Sequence, residues 1–311
     1  MDDELLEKIV AAALTRLRNS VECGTPFMGQ RILEWLGSLY PNHSLQEYCT
    51  HPDAFPLLLT PWWLEKTLSE TLDTSFQLDL VYSSMNMYFH LRLIDNLMDG
   101  DVPTNRNLLP ALGFFHTEFQ RPYHRYFGHE HPFWDYFAKI WFHSAEVTML
   151  DGSMSDFDST QFETIAAQKL CAAKIPLAAV CYKYGRTDVL PAWSCFLERY
   201  ALWSQMLNDT FDWLKDSQHT AGTFFLSEAR RRKSSDESVT AWVIREGFGW
   251  AMATLEAFMS ELRALANDLK NPAILEHLDT RAATLARKRD RVFEGLLSLA
   301  KLRDALGRNH Q

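Results

Sequence analysis

The chain has 311 residues, 47% of them hydrophobic and 23% charged, with a formal net charge of −9. That apolar share is enough for a sizeable core, and the acidic balance argues against a nucleic-acid groove, which needs clustered positive charge. Five cysteines, Cys23, Cys49, Cys171, Cys181 and Cys195, show no CxxC or Cys/His metal spacing, which fits reduced thiols packed as small hydrophobes in a cytoplasmic protein.

The chain opens on MDDELLEKIV, acidic and amphipathic, unlike a secretory leader. No stretch approaches the roughly 20 apolar residues of a membrane span. Leu5, Ile9, Ala12, Ala13 and Leu17 recur at helical spacing, as do Leu255, Phe258, Met259, Leu262, Leu265 and Leu269, then Leu285, Val292, Leu296 and Leu299. Strict two-residue alternation is missing. Pro26, Pro41, Pro52, Pro56, Pro103, Pro110, Pro132, Gly152, Gly222 and Pro272 divide the helical runs. The pattern predicts helices over 3–20, 27–39, 61–73, 76–100, 105–127, 132–150, 159–184, 188–217, 235–269 and 272–306. Pro176 should kink the seventh of these after about residue 172. Arg230 to Lys233, followed by SSDES, reads as a solvated loop. No linker or repeat separates domains, so residues 1–311 read as one all-α domain.

Acids interrupt two of the apolar helices. Asp95 and Asp99 are four positions apart in LIDNLMDGD, which puts them about 40° apart on a helix with a rise near 6 Å. Asp101 falls on the opposite flank, at the helix end. In QMLNDTFDWLKD, Asn208, Asp212 and Asp216 form one i, i+4, i+8 stripe with Asp209 beside it, among Met206, Leu207, Phe211, Trp213 and Leu214. Either cluster alone reads as a solvated helix face. Two of them on long apolar helices favour a site. Oxygen ligands without His or Cys select a hard cation such as Mg²⁺, which shares its coordination sphere with water and substrate phosphate.

The two clusters resemble the paired motifs of the isoprenoid synthase superfamily: trans-prenyl diphosphate synthases, squalene and phytoene synthases, and class I terpene synthases. The DDxxD motif is matched by Asp95-Asn96-Leu97-Met98-Asp99, with Asn in second place. QxxDDxxD is matched by Gln205-Met206-Leu207-Asn208-Asp209-Thr210-Phe211-Asp212, with Asn for the first Asp. The same stretch is similar to the terpene-synthase pattern (N/D)DxxSxxxE, with Asn208, Asp212 and Asp216 at the ligand positions. It is also similar to the DxxxD of squalene and phytoene synthases, through Asp212 and Asp216. AAKIPLAAVCYKYG, residues 172–185, resembles the prenyltransferase KTA segment, and Gly222 to Leu226 resembles the loop that closes over diphosphate.

The resemblance implies a single-domain helical bundle of about ten or more helices around a central apolar cavity. It implies Mg²⁺ or Mn²⁺ held by Asp95, Asp99, Asn208, Asp209, Asp212 and Asp216, and a prenyl diphosphate substrate. Lys174 stands where the family binds diphosphate, with Lys215, Arg92, Lys169 and Gln205 as further substrate-binding candidates. Homodimers are common in the family. The chain departs from it at Gly29-Gln30-Arg31, where elongating synthases carry GKxxRP, and at a lone Arg106 in place of paired arginines. These departures disfavour condensation with isopentenyl diphosphate and favour ionisation and cyclisation of one allylic diphosphate. The alternatives are coupling to another acceptor, including head-to-head coupling, and a non-catalytic partner subunit, as Asn96 and Asn208 suggest. Aromatic residues, 13% of the chain with ten Trp, include Tyr88, Phe89, Trp141, Phe142, Tyr182, Trp203 and Phe211 as candidates for core or cavity.

Overall fold

Capping side chains and prolines set several of the helix ends, among them those of α8, α11 and α14. A computed structural model describes residues 4–39, 44–50, 58–99, 106–218 and 222–308, with the side chains of Thr50, Asp99 and residues 296–308 outside that description. Among the described residues the chain is all-helical, with no strand. The helices are α1 (Glu4–Gly24), α2 (Pro26–Leu39), α3 (Leu45–Thr50), α4 (Leu59–Leu68), α5 (Thr74–Asp99), α6 (Leu109–Gln120) and α7 (Phe133–Ser153). After them come α8 (Ser159–Gln168), α9 (Lys174–Lys183), α10 (Leu190–Asp216), α11 (Phe224–Arg232), α12 (Val239–Trp242), α13 (Phe248–Asp268) and α14 (Pro272–Arg308). Helix α8 opens with a capping box: Gln161 N donates to Asp158 Oδ1 at 2.8 Å, and Asp158 N to Gln161 Oε1 at 3.0 Å. Pro272 occupies the first position of α14, where its missing N–H costs nothing, and the preceding Asn271 accepts from Ala273 N at 3.1 Å.

Several segments differ from the sequence reading: α3 falls where no helix was expected, the helix expected over 61–73 ends at Leu68, and three further segments depart as follows. The helix expected over 159–184 breaks at 169–173 and restarts at Lys174 through a 3-10 turn, Cys171–Ala173. Pro176 thereby falls in the first turn of α9, where no intrahelical amide donor is required, rather than mid-helix. The stretch expected as a loop from Phe224 is instead α11, capped by Thr223 Oγ1, which accepts from Leu226 N at 3.3 Å. Arg230 to Arg232 form its last turn, where cations suit the carbonyl end, and Arg231 Nη2 meets Asp156 Oδ2 at 2.6 Å. Residues 235–269 carry a π turn, Val243–Gly247, between α12 and α13. A Cβ on Gly247 would overlap the Trp242 ring, so the tight packing there requires glycine.

The chain forms two compact units, one of residues Met1–Glu146 and Cys171–Ser194, the other of Val147–Leu170 and Cys195–Gln311. In the first, α1 and α6 pack on α5 around Leu80, Met85, Phe89 and Phe115. Two buried carboxylates are fully engaged there. Asp79 meets Arg16 Nη1 at 2.5 Å, Arg125 Nη1 at 2.9 Å and Tyr126 Oη at 2.8 Å. Glu65 accepts from Gln77 Nε2 and from the Tyr184 hydroxyl. Such pairing is the condition for burying charge. In the second unit Trp242, Phe225 and Trp250 cluster, and Tyr200 Oη lies 3.0 Å from His277 Nε2.

All five cysteines are free; Cys171 and Cys181 are buried as expected, whereas Cys23 and Cys195 are exposed. Among the described residues no single helix is long and apolar enough to cross a membrane.

Candidate functional site

Helix α5 delivers the first motif in the first unit. Its middle is core, from Leu80 to Met87, and Leu93 is fully buried. Two residues on, on the opposite side of the helix, Asp95 is exposed, with Oδ2 3.3 Å from Arg92 Nη1. Asn96 points elsewhere: it is 6% exposed, and among the described residues its Oδ1 accepts no hydrogen bond. A carboxylate at that position would be a buried charge without donors, so the neutral amide is the cheaper group. The Asp99 side chain and Asp101 lie outside the described residues. Lys174 is in the same unit, 6% exposed at the first residue of α9.

Helix α10 carries the second motif in the second unit. Trp203, Met206 and Leu207 are buried, while Asn208, Asp212 and Lys215 are exposed and Asp216 is half-buried. Asp209 is 3% exposed, on a different face from Asn208 and Asp212. Its Oδ1 accepts from Gln205 Nε2 at 2.7 Å and its Oδ2 from Phe224 N at 3.0 Å. Burial pushes its carboxyl up to about 6, against the opposing pull of Gln205, of nearby Lys169 and of the Phe224 amide. Gln205 is thus engaged with Asp209. Lys169, at the end of α8, pairs with Asp151 of α7 at 2.6 Å.

Sequence reasoning missed three groups near the second motif. Asp151 pairs with Lys169; the Phe224 amide faces Asp209; Lys288 Nζ of α14 sits 5.5 Å from the centroid of the Phe211 ring. Asp151 and Lys288 are remote in sequence from the motif and carry no local signature, whereas Phe224 was in view only as part of the 222–226 segment and not as a partner of Asp209. The aromatic candidates divide: Phe89 and Trp203 are buried, Trp141 stacks on His116 with centroids 5.3 Å apart, and Phe142 is 71% exposed.

Asp95, Asn208 and Asp212 offer exposed oxygen donors, the chemistry that suits Mg²⁺. Among the described residues, which exclude the Asp99 side chain, no three His, Cys, Asp or Glu side chains stand together as a complete cation cage. Mg²⁺ characteristically takes one or two carboxylates and completes its octahedron with water and phosphate oxygens, so Asp95 on α5 and, separately, Asn208 with Asp212 on α10 each present donor types that suit that ion. The chain matches no family model, and no curated protein is significantly similar to it.

Proposed function

We propose that the protein is a Mg²⁺-dependent class I isoprenoid diphosphate enzyme that ionises an allylic prenyl diphosphate and cyclises or quenches the cation, as a terpene synthase does. The observation that carries this reading is the exposure of Asn208 and Asp212 on α10 just beyond a stretch of the same helix, Tyr200 to Trp203, that is buried. An amide and a carboxylate oxygen exposed on a core-forming helix are available to ligate.

In this reading each motif supplies its own candidate cation ligands: Asp95 and Asp99 in the first, and Asn208, Asp212 and Asp216 in the second. Mg²⁺ held by these residues would supply positive charge that stabilises the diphosphate as a leaving group. The allylic C–O bond breaks heterolytically, and the diphosphate leaves with the electron pair. Lys174 and Arg92 beside the first motif, and Lys215 within the second, are the candidate cationic groups for its oxygens, through charge-assisted hydrogen bonds. A central apolar cavity lined by aromatic rings would shield the allylic cation from water, each ring face contributing about 0.5–2 kcal/mol. Loss of a proton or capture of water after cyclisation ends the reaction.

The test is incubation of purified protein with Mg²⁺ and geranyl, farnesyl or geranylgeranyl diphosphate, each with and without isopentenyl diphosphate. A hydrocarbon or alcohol from one diphosphate alone supports the reading. A longer or coupled product replaces it with a prenyltransferase, and no diphosphate release under any condition overturns it.

A further inference from the structure

Asp209 behaves unlike the other acids of its motif. Successive residues on a helix are about 100° apart, so with Asn208 turned outward Asp209 turns inward, where both its oxygens are taken by protein donors. One donor is local, Gln205 Nε2 at 2.7 Å; the other, Phe224 N at 3.0 Å, is the first amide of α11. An anion at that end of α11 also suits the helix dipole.

Helix α11 is itself anchored to the segment between α7 and α8. Gly222 N donates to Met154 O at 3.3 Å, Phe157 N to Ser227 Oγ at 3.0 Å, and Arg231 Nη1 to Phe157 O at 2.5 Å. A Cβ at Gly222 would overlap the Ser155 carbonyl, so the two backbones approach as closely as glycine permits. The start of α11 is therefore a fixed point, and Asp209 is the side chain of α10 tied to it.

We propose that Asp209 is a positioning residue and not a metal ligand: its carboxylate pins α10 to the Phe224 amide, and so sets the direction in which Asn208 and Asp212 present their oxygens. The proposal rests on the metal-dependent reading above for its consequence, though not for the clamp itself.

Full-length wild type, Asp209→Asn, Asp209→Ala and Asp212→Asn are compared by Mn²⁺ titration with inorganic diphosphate present, and by hydrogen exchange of the Phe224 amide. In Asp209→Asn, Oδ1 still accepts from Phe224 N, and Nδ2 donates to Gln205 once that amide turns over. The expected half-saturating Mn²⁺ is within about two-fold of wild type for Asp209→Asn and about ten-fold higher for Asp209→Ala and Asp212→Asn. Phe224 exchange should quicken only in Asp209→Ala. Equal weakening in Asp209→Asn and Asp212→Asn overturns the proposal, as does unchanged Phe224 exchange in Asp209→Ala. If Asp209→Ala does not fold, the Asn variants alone decide. A wild-type protein that takes up no Mn²⁺ overturns the metal-dependent reading, and Phe224 exchange then decides the clamp by itself.

Discussion

Arg92 Nη1 stands 3.3 Å from Asp95 Oδ2, three residues apart on the outer face of α5, with side chains 43% and 54% exposed. An exposed pair of this kind contributes about 0–1 kcal/mol, weak enough for a cation to displace the arginine. Arg92→Ala should therefore tighten Mn²⁺ binding slightly in the absence of diphosphate, by about two- to five-fold. With a prenyl diphosphate present, loss of the guanidinium should raise KM. A fall in Mn²⁺ affinity in the diphosphate-free titration would show that Arg92 supports Asp95 rather than competing for it.

Asp95 and Asp212 are both exposed, so neither holds the core together. Asp95→Ala and Asp212→Ala should each leave stability within about 0.5 kcal/mol of wild type in urea, while diphosphate release falls by about 100-fold or more if they are ligands. Turnover near the wild-type rate in either variant removes that residue from the site.

Asn96 offers the opposite case. Its burial, and an Oδ1 that accepts no hydrogen bond among the described residues, mean that Asn96→Asp, although it restores the DDxxD spelling, places a charge where the described residues offer no donor. The expected cost at pH 7 is about 2–4 kcal/mol. The introduced carboxyl should titrate above its unfolded value, so the cost should shrink as pH falls and the group takes up a proton. Equal urea midpoints for variant and wild type at pH 7 would mean that position 96 is not desolvated.

His90 supplies a pH dependence in the first unit. Its Nδ1–H donates to Leu112 O at 3.0 Å, and its ring lies 5.1 Å from Trp141 and 5.8 Å from His116. Burial holds the imidazole well below its ordinary value of 6.5, at about 4, and lowers His116 as well. Above pH 6.5 both folded and unfolded chains carry neutral His90, and the group has no proton-linked effect. Between 6.5 and 4 the unfolded chain takes up a proton that the folded chain refuses, so stability falls as pH falls across that window. Urea midpoints at pH 7.5 and 5 should separate for wild type, and less so for His90→Asn, whose amide keeps the bond to Leu112. An unchanged separation would assign the effect to His116 and the carboxylates.

Much of the architecture was legible because helix formation is signalled locally. Apolar spacing placed α1, α2, α5, α7, α10 and α14 to within a few residues, and Pro176 marked the break before α9. Helix α11 was hidden because its nine residues end in RRR and its apolar residues, Phe224, Phe225, Leu226 and Ala229, crowd into the start without a helical repeat. Its helicity comes from packing and from the Thr223 cap, more than from periodicity. The site was legible as a set of residue types and less so as an arrangement. Asn96 and Asp209 sit beside exposed ligand candidates in sequence yet are buried, and Lys169 is paired with an acid from outside either motif.

Sequence alone determined that the chain is helical, where two acid clusters fall and what angles separate their residues, since 3.6 residues per turn is a property of the backbone. It left open which way each helix is turned. Tertiary packing decided that, because burying the apolar face of α10 and tying Asp209 to Phe224 turns one motif acid inward as it turns Asn208 and Asp212 outward. A carboxylate that is desolvated and held by two donors has a different chemistry from its exposed neighbour, and that difference is made by the surroundings.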